Sequence, residues 1–240
     1  SGRIYQTWRY ASCDMAGISI AAAAINLASQ VCGPFSSARK TDGSIAVQVA
    51  GNPPYMSLEA GTTDVTAKDG EALRSAADFV AATNNPVLEA WVRNPDTTHA
   101  DFFYLVGFSD VTTNNYYLHP TNGIYFMAST TNWFAFAKDN TATSTVDTGV
   151  ALSASEFQKL RIEVTSSEAL FFVNNQLRAT ITSNLPTANM SVVLSTALAN
   201  ATAATKPNLD VSLLRLWTDD PPGGLASASP PESAPAIDYD

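Results

Sequence analysis

The sequence is short of charge, of basic residues above all, and of cysteine. Asp, Glu, Lys and Arg make up 15% of its 240 residues, with 13 Lys and Arg against 22 Asp and Glu, for a net charge of −9. No basic run occurs. Nucleic acid and anionic membrane both require clustered Lys and Arg, so neither is expected as a partner. The longest apolar run, Ala16 to Ala28, is too short and too rich in alanine to span a bilayer. Cys13 and Asp14 precede it in place of the basic n-region of a secretory signal. The simplest expectation is a soluble product made inside the cell. Cys13 and Cys32 are the only cysteines. They can close one loop, worth roughly 3 kcal/mol in the chain-entropy account, or remain two buried thiols; the sequence leaves both open. Neither lies near His99 or His119, and two cysteines alone do not make a zinc site.

Motifs that carry chemistry are equally scarce. Gly107-Phe108-Ser109-Asp110 lacks the second glycine of a nucleophile elbow. His99 sits in the polar loop sequence DTTHAD and His119 precedes Pro120, and both read as loop residues. There is no Walker loop and no Gly-x-Gly-x-x-Gly, so no nucleotide cofactor is expected. The oxygen donors Asp139-Asn140, and Asp110 with Asn114-Asn115, are not gathered in a calcium loop, so no metal is expected. Glycoside hydrolysis needs two carboxylates on one face. Glu163 and Glu168 have a turn between them, and Asn94-Pro95 separates Glu89 from Asp96. Glu59, Glu89 and Glu163 read as solvent-facing strand positions. On these grounds the chain is not expected to be an enzyme.

What the sequence has is strands. In Leu160 to Pro186, Leu160, Ile162 and Val164 alternate with Arg161, Glu163 and Thr165, the period of a strand with one buried face. A polar turn follows, then a hairpin whose strands, Leu170–Val173 and Gln176–Ile181, meet at Asn174-Asn175, where asparagine tolerates the positive φ of a tight turn. Similar alternation marks Ile45 to Val49, Met56 to Leu58, Val87 to Arg93 (Leu88, Ala90 and Val92 on one face), Ile124 to Ala128, Trp133 to Ala137, Met190 to Ser195 and Leu209 to Trp217. Phe102 to Phe108 is apolar on both faces and should be central. In Leu209 to Trp217 the apolar phase slips between Leu213 and Leu214, the mark of a bulge. Residues 68–78 suggest a connection with a short helix from Glu71. Many short strands split by Gly, Pro, Asn and Asp clusters indicate an all-β antiparallel sandwich or jelly roll.

Three stretches follow: residues 1–40 as an irregular N-terminal arm or extra strands, 41–218 as the sandwich, and 219–240 as a tail rich in Pro, Ser and Ala. Ala16 to Val31 fits either a helix or a pair of strands. By composition the tail cannot bury a core and should be extended, lying along its own domain or a neighbouring chain.

The order VLEAWVR, FFYLVGFSD, NGIYFMA with NWFAFAK, TGVAL, FQKLRIEV, LFFVNNQLRATITSNLP and LDVSLLRLW, from about Ser44 to Trp217, resembles the concanavalin A-like (laminin G-like) jelly roll of structural proteins of tailed bacteriophages. The resemblance implies a non-enzymatic virion protein, a capsid decoration or fibre component. It would work through assembly with other virion proteins, as a homo-oligomer guessed to be a trimer. It would be made in the host cytoplasm and carried on the virion surface. Glycoside hydrolases share the fold, but the Glu-x-Asp-x-x-Glu signature of the laminarinase-like group is absent from this sequence. The alternative is a lectin-like module that recognises host or environmental glycans, and a remote third is a glycoside hydrolase with an unfamiliar carboxylate pair. The candidate contacts of the lectin-like module are Tyr116, Tyr117, Tyr125 and Trp133 with nearby asparagines such as Asn132, although core packing competes for these aromatics. Trp91 shares a strand face with Glu89 and Arg93 and suits a partner contact.

Overall fold

The computed structural model of the chain describes residues 8–14, 30–32, 35–40, 44–48, 53–60, 70–75, 85–96, 102–110, 120–128, 131–198 and 207–218, with side chains from Pro53 onward. These residues form sixteen strands and no helix. The first eight are β1 (Trp8–Asp14), β2 (Gln30–Cys32), β3 (Phe35–Lys40), β4 (Ser44–Gln48), β5 (Tyr55–Glu59), β6 (Gly70–Ser75), β7 (Val87–Arg93) and β8 (Phe102–Ser109). The rest are β9 (Gly123–Ala128), β10 (Asn132–Lys138), β11 (Thr143–Ala151), β12 (Gln158–Val164), β13 (Ala169–Val173), β14 (Gln176–Ile181), β15 (Ser191–Leu198) and β16 (Asn208–Thr218).

They build two antiparallel eight-stranded sheets. The first runs β14-β13-β12-β7-β16-β5-β4, with β1 also on β16; the second runs β11-β10-β9-β8-β15-β6-β3-β2. β16 is long enough to take two neighbours along one edge. β5 pairs with Asn208–Val211, and β1 with the stretch from Leu213 to Thr218. The sandwich expected from the sequence is the architecture found.

Alternation determines what fills the space between the sheets. Leu88, Ala90 and Val92 of β7, Leu160, Ile162 and Val164 of β12, and Leu214 and Leu216 of β16 point inward from the first sheet. Tyr104, Val106, Phe108, Phe126 and Trp133 meet them from the second. β8 is central, between β9 and β15, and buried on nearly its whole length. Its Gly107 faces β9 so closely that a Cβ there would lie 2.4 Å from the Tyr125 Cα, closer than any side chain allows. The Asn174-Asn175 turn has φ of 50° and 65°, the left-handed pair of a tight hairpin. The bulge in β16 lies at Ser212, between Val211 and Leu213, and not at the Leu213–Leu214 slip read from the sequence.

Two elements differ from expectation. Gly70–Ser75 is a strand, β6, inserted between β15 and β3; ladder pairing on both sides overrides the weak helical preference of Glu71-Ala72-Leu73. Thr143–Ala151 forms the edge strand β11, whose polar Thr and Ser residues leave most of it exposed. Three strands fall within residues 1–40, one in the first sheet and two in the second. The tail 219–240 and most of Ala16 to Val31 lie outside the described residues, as do the side chains of Cys13 on β1 and Cys32 on β2.

Candidate functional site

The two sheets present very different outer faces. On the second, Leu105, Tyr125, Met127, Val193 and Ala72 form a small buried apolar cluster, joined by Phe103 and Phe136. Tyr125 stacks on Phe136 at 5.2 Å with the rings nearly parallel. Burial pushes the Tyr125 hydroxyl well above the ordinary phenol range, with the charge of Asp110 adding to the effect. β9 offers Gly123, Tyr125 and Met127 to this face, with no carboxylate among them.

This arrangement corrects the aromatic platform expected around residues 114–133. Trp133 points the other way, into the core, and is fully buried. Its Nε1 donates to Gln158 Oε1 at 2.9 Å, and its carbonyl accepts from Thr148 Oγ1 at 2.6 Å. Asn132 donates to both carboxylate oxygens of Asp147, at 3.2 and 3.3 Å. Trp133 and Tyr125 therefore occupy opposite faces of one sheet and cannot contact a common sugar. Tyr116, Tyr117, His99, His119, Asn114 and Asn115 lie outside the described residues. The suggested oxygen donors are engaged in turns. Asp139 Oδ1 accepts from Thr141 N, Thr141 Oγ1 and Ala142 N, and Asp110 accepts from Asn122 Nδ2 at 2.9 Å. The three bonds to Asp139, the Thr141 amide first, hold its carboxyl below the usual carboxylate range.

The outer face of the first sheet is different. Here β7 runs between β12 and β16, and the register sets their outward residues in cross-strand rows. Glu163, Val87 and Trp217 form one row; Arg161, Glu89 and Arg215 the next; Lys159, Trp91 and Leu213 the third. The first row and the third lie four residues apart on β7, about 13 Å. A cavity of about 290 Å³ opens over them, lined by Val87, Glu89, Lys159, Arg161, Glu163, Arg215 and Trp217. Trp91, 38% exposed, stands beside it. At the far end of β7, Arg93 closes on Asp210 at 2.6 Å and lies over Tyr55 and Phe157.

Glu89 is the hub. Its 5% exposure overturns the expectation of a solvent-facing strand glutamate. Lys159 Nζ lies 2.7 Å from its Oε2, and Arg215 Nη1 lies 3.7 Å from its Oε1. Arg161 approaches Glu163 at 3.2 Å while its guanidinium covers the Phe172 ring at 4.2 Å. The Nε atoms of Arg161 and Arg215 are buried without hydrogen-bond partners. Glu89 and Glu163 are diagonal neighbours across β7 and β12, positions typically about 7–8 Å apart. Two carboxylates thus line one cavity, an arrangement the sequence reading did not find. Glu89 and Glu163 were read as solvent-facing strand positions, Arg161 as the polar parity of LRIEV, and Arg215 and Trp217, in LRLW, were not singled out. The missing information was that both strands flank β7.

No protein-family model matches the sequence, and no curated protein matches it. Solved structures do. An endo-1,3-β-glucanase from Streptomyces sioyaensis is 12% identical with a TM-score of 0.62, over 90% of this chain and 98% of its own. A protein of unknown function from Shewanella oneidensis MR-1 is 14% identical with a TM-score of 0.62, over 91% and 89%. A carbohydrate esterase of Shiga toxin-encoding bacteriophage phi24B is 11% identical with a TM-score of 0.58, over 89% and 100%. At such identities the likeness shows the fold, a concanavalin A-like jelly roll shared with carbohydrate-active proteins, one of them from a phage. It also overturns the expectation that the chain is not an enzyme. That expectation took the absence of familiar motifs as decisive, yet proteins named as a glucanase and an esterase carry this fold over nearly the whole chain.

Proposed function

We propose that the chain is a carbohydrate-engaging jelly-roll module of a phage particle, seating a glycan in the cavity on the outer face of the first sheet. One observation carries this reading: the cavity joins an indole, Trp217, to a floor of polar and charged side chains, with Trp91 exposed alongside. Sugar sites combine these features, an aromatic surface for the apolar face of a pyranose and convergent polar groups for its hydroxyls. The fold shared with carbohydrate-active proteins supports the reading. The setting on a phage particle, with other virion proteins and like copies as partners, is supported by the resemblance of the strand order.

Glycan-array binding by the full chain tests the site. Trp217→Ala and Trp91→Ala should each weaken binding at least several-fold with the circular dichroism spectrum unchanged. Binding that survives both substitutions would sink the site. Light scattering with and without residues 219–240 tests the assembly side: an oligomer that falls to monomer on truncation supports it, and a monomer in both forms counts against it.

The carboxylate pair favours a second reading, in which the same cavity cleaves the glycan it holds. Glu89 and Glu163 line the same cavity from neighbouring strands, and glycoside hydrolysis works through two carboxylates on one face. Release of reducing sugar that is lost in both Glu89→Gln and Glu163→Gln would establish hydrolysis. Binding without release would confine the site to recognition.

A further inference from the structure

We infer that the glycan engaged by this cavity is acidic, and that its carboxylate or sulfate group is taken up by Arg215 with help from Arg161. The inference rests on the glycan reading above and specifies its ligand.

Charge balance is the first argument. Among the described residues, three cations, Lys159, Arg161 and Arg215, line the cavity against two carboxylates, Glu89 and Glu163. The cavity therefore holds a surplus positive charge on a chain whose net charge is −9. A neutral sugar makes no use of that surplus, whereas an anion completes it.

Satisfaction of the guanidinium groups is the second argument. Lys159, at 2.7 Å, already occupies one oxygen of Glu89. Arg215 reaches the other only at 3.7 Å, beyond hydrogen-bond length, and its side chain keeps 39% exposure. Its Nε is buried without a partner. Arginine presents its donors as a planar fork that matches carboxylate and sulfate oxygens in pairs. Its exposed Nη end lines the cavity with only the long contact to Glu89, so that end of the fork is open to a further anion. Arg161 is more fully engaged, paired with Glu163 at 3.2 Å, but its Nε has no partner among the described residues, and stacking on Phe172 holds the guanidinium plane in place. The two arginines flank Glu89 in one row, one on each neighbouring strand. The buried Glu89 anchors Lys159 and Arg215 at the cavity floor, leaving the outward donors for ligand. Trp217, one row away, receives the apolar face of the same sugar ring.

Volume is consistent with this. A cavity of about 290 Å³ is at the small end of ligand sites, suited to one ring and its charged substituent rather than a long chain lying flush.

The test uses the full chain and three defined polysaccharides: polygalacturonate (carboxylate), chondroitin sulfate (carboxylate and sulfate) and laminarin (neutral). Calorimetry should show binding to one or both acidic polymers and little to laminarin, with affinity falling as NaCl is raised from 50 to 300 mM. Arg215→Gln should weaken acidic binding roughly tenfold or more, the worth of a charge-assisted hydrogen bond. Arg215→Lys, which keeps charge and loses the fork, should fall between. A thermal melt within a few degrees of the parent confirms folding of each variant. Binding to polygalacturonate shows that a carboxylate suffices, and comparison of chondroitin sulfate with its desulfated form isolates the sulfate. Binding of laminarin that depends on Trp217 and is indifferent to Arg215→Gln would overturn the acidic ligand while leaving the glycan site standing. Absence of binding to all three would overturn both.

Discussion

At the level of single residues, period-2 alternation tells inside from outside only where one parity is polar. Leu160 to Val164 meets that condition, and each of its side chains lies where the pattern puts it. Asn132 to Lys138 does not: Trp133, Ala135 and Ala137 share one face, Phe134 and Phe136 the other, and both are apolar. The sequence leaves the orientation of Trp133 undecided. The structure decides it by giving the indole a buried acceptor on Gln158. Trp133→Phe should therefore cost about 1–3 kcal/mol, since Gln158 Oε1 loses its donor inside the core. Urea unfolding measures this, and glycan binding should be unaffected. A substitution costing nothing would show that Gln158 finds another partner. Asp139 gives a residue-scale pH dependence. Its folded pKa is lowered, so its contribution to the turn is complete above the unfolded value and is lost as pH falls through the folded one. Carboxyl NMR should show Asp139 titrating below the ordinary aspartate range, with the Thr141 and Ala142 amides moving at the same pH. A titration at the ordinary value would contradict the capped turn.

At the level of elements, the most legible piece is the hairpin of β13 and β14. Two adjacent asparagines between alternating runs predict a tight turn, and both take positive φ. Asn174 does more than permit the turn. Its Oδ1 accepts from Lys159 N at 2.9 Å and its own amide donates to Lys159 O at 2.8 Å, tying the turn to the start of β12. Asn175 has no such bond among those described, so its contribution is conformational. Asn175→Gly should be neutral or stabilise slightly, whereas Asn175→Val should cost about 1–2 kcal/mol for placing a branched side chain in the left-handed region. Thermal melts of the two variants should separate by several degrees; coincident melts would rule out the conformational account. The β6 segment is much less legible. A run such as Gly70–Ser75 carries no period of its own, and it is a strand because β15 and β3 supply ladder partners far away in sequence. The candidate site was illegible for the same reason. LRIEV and LRLW disclose outward charges, but nothing local says that β12 and β16 meet on either side of Glu89.

At the level of the whole molecule, the first strand raises a question of assembly. Residues 1–40 read from the sequence as an irregular arm or as extra strands, and β1 pairs with the second half of β16 in its own chain, from Trp8 opposite Thr218 to Asp14 opposite Leu213. β16 also carries Arg215 and Trp217, so this pairing supports the wall of the candidate cavity. Removing residues 1–14 would strip the ladder from that edge, at about 0.5–1.5 kcal/mol for each hydrogen bond lost. It would also expose a strand edge of the kind that pairs with other chains. The truncated protein should melt at lower temperature, associate as its concentration rises in light scattering, and bind glycan more weakly because the Trp217 wall is loosened. An arm exchanged between copies predicts the reverse in solution: the full chain would be an oligomer, and truncation would release monomers. The direction in which mass changes on truncation therefore separates a strand that completes its own sheet from one that completes a neighbour's.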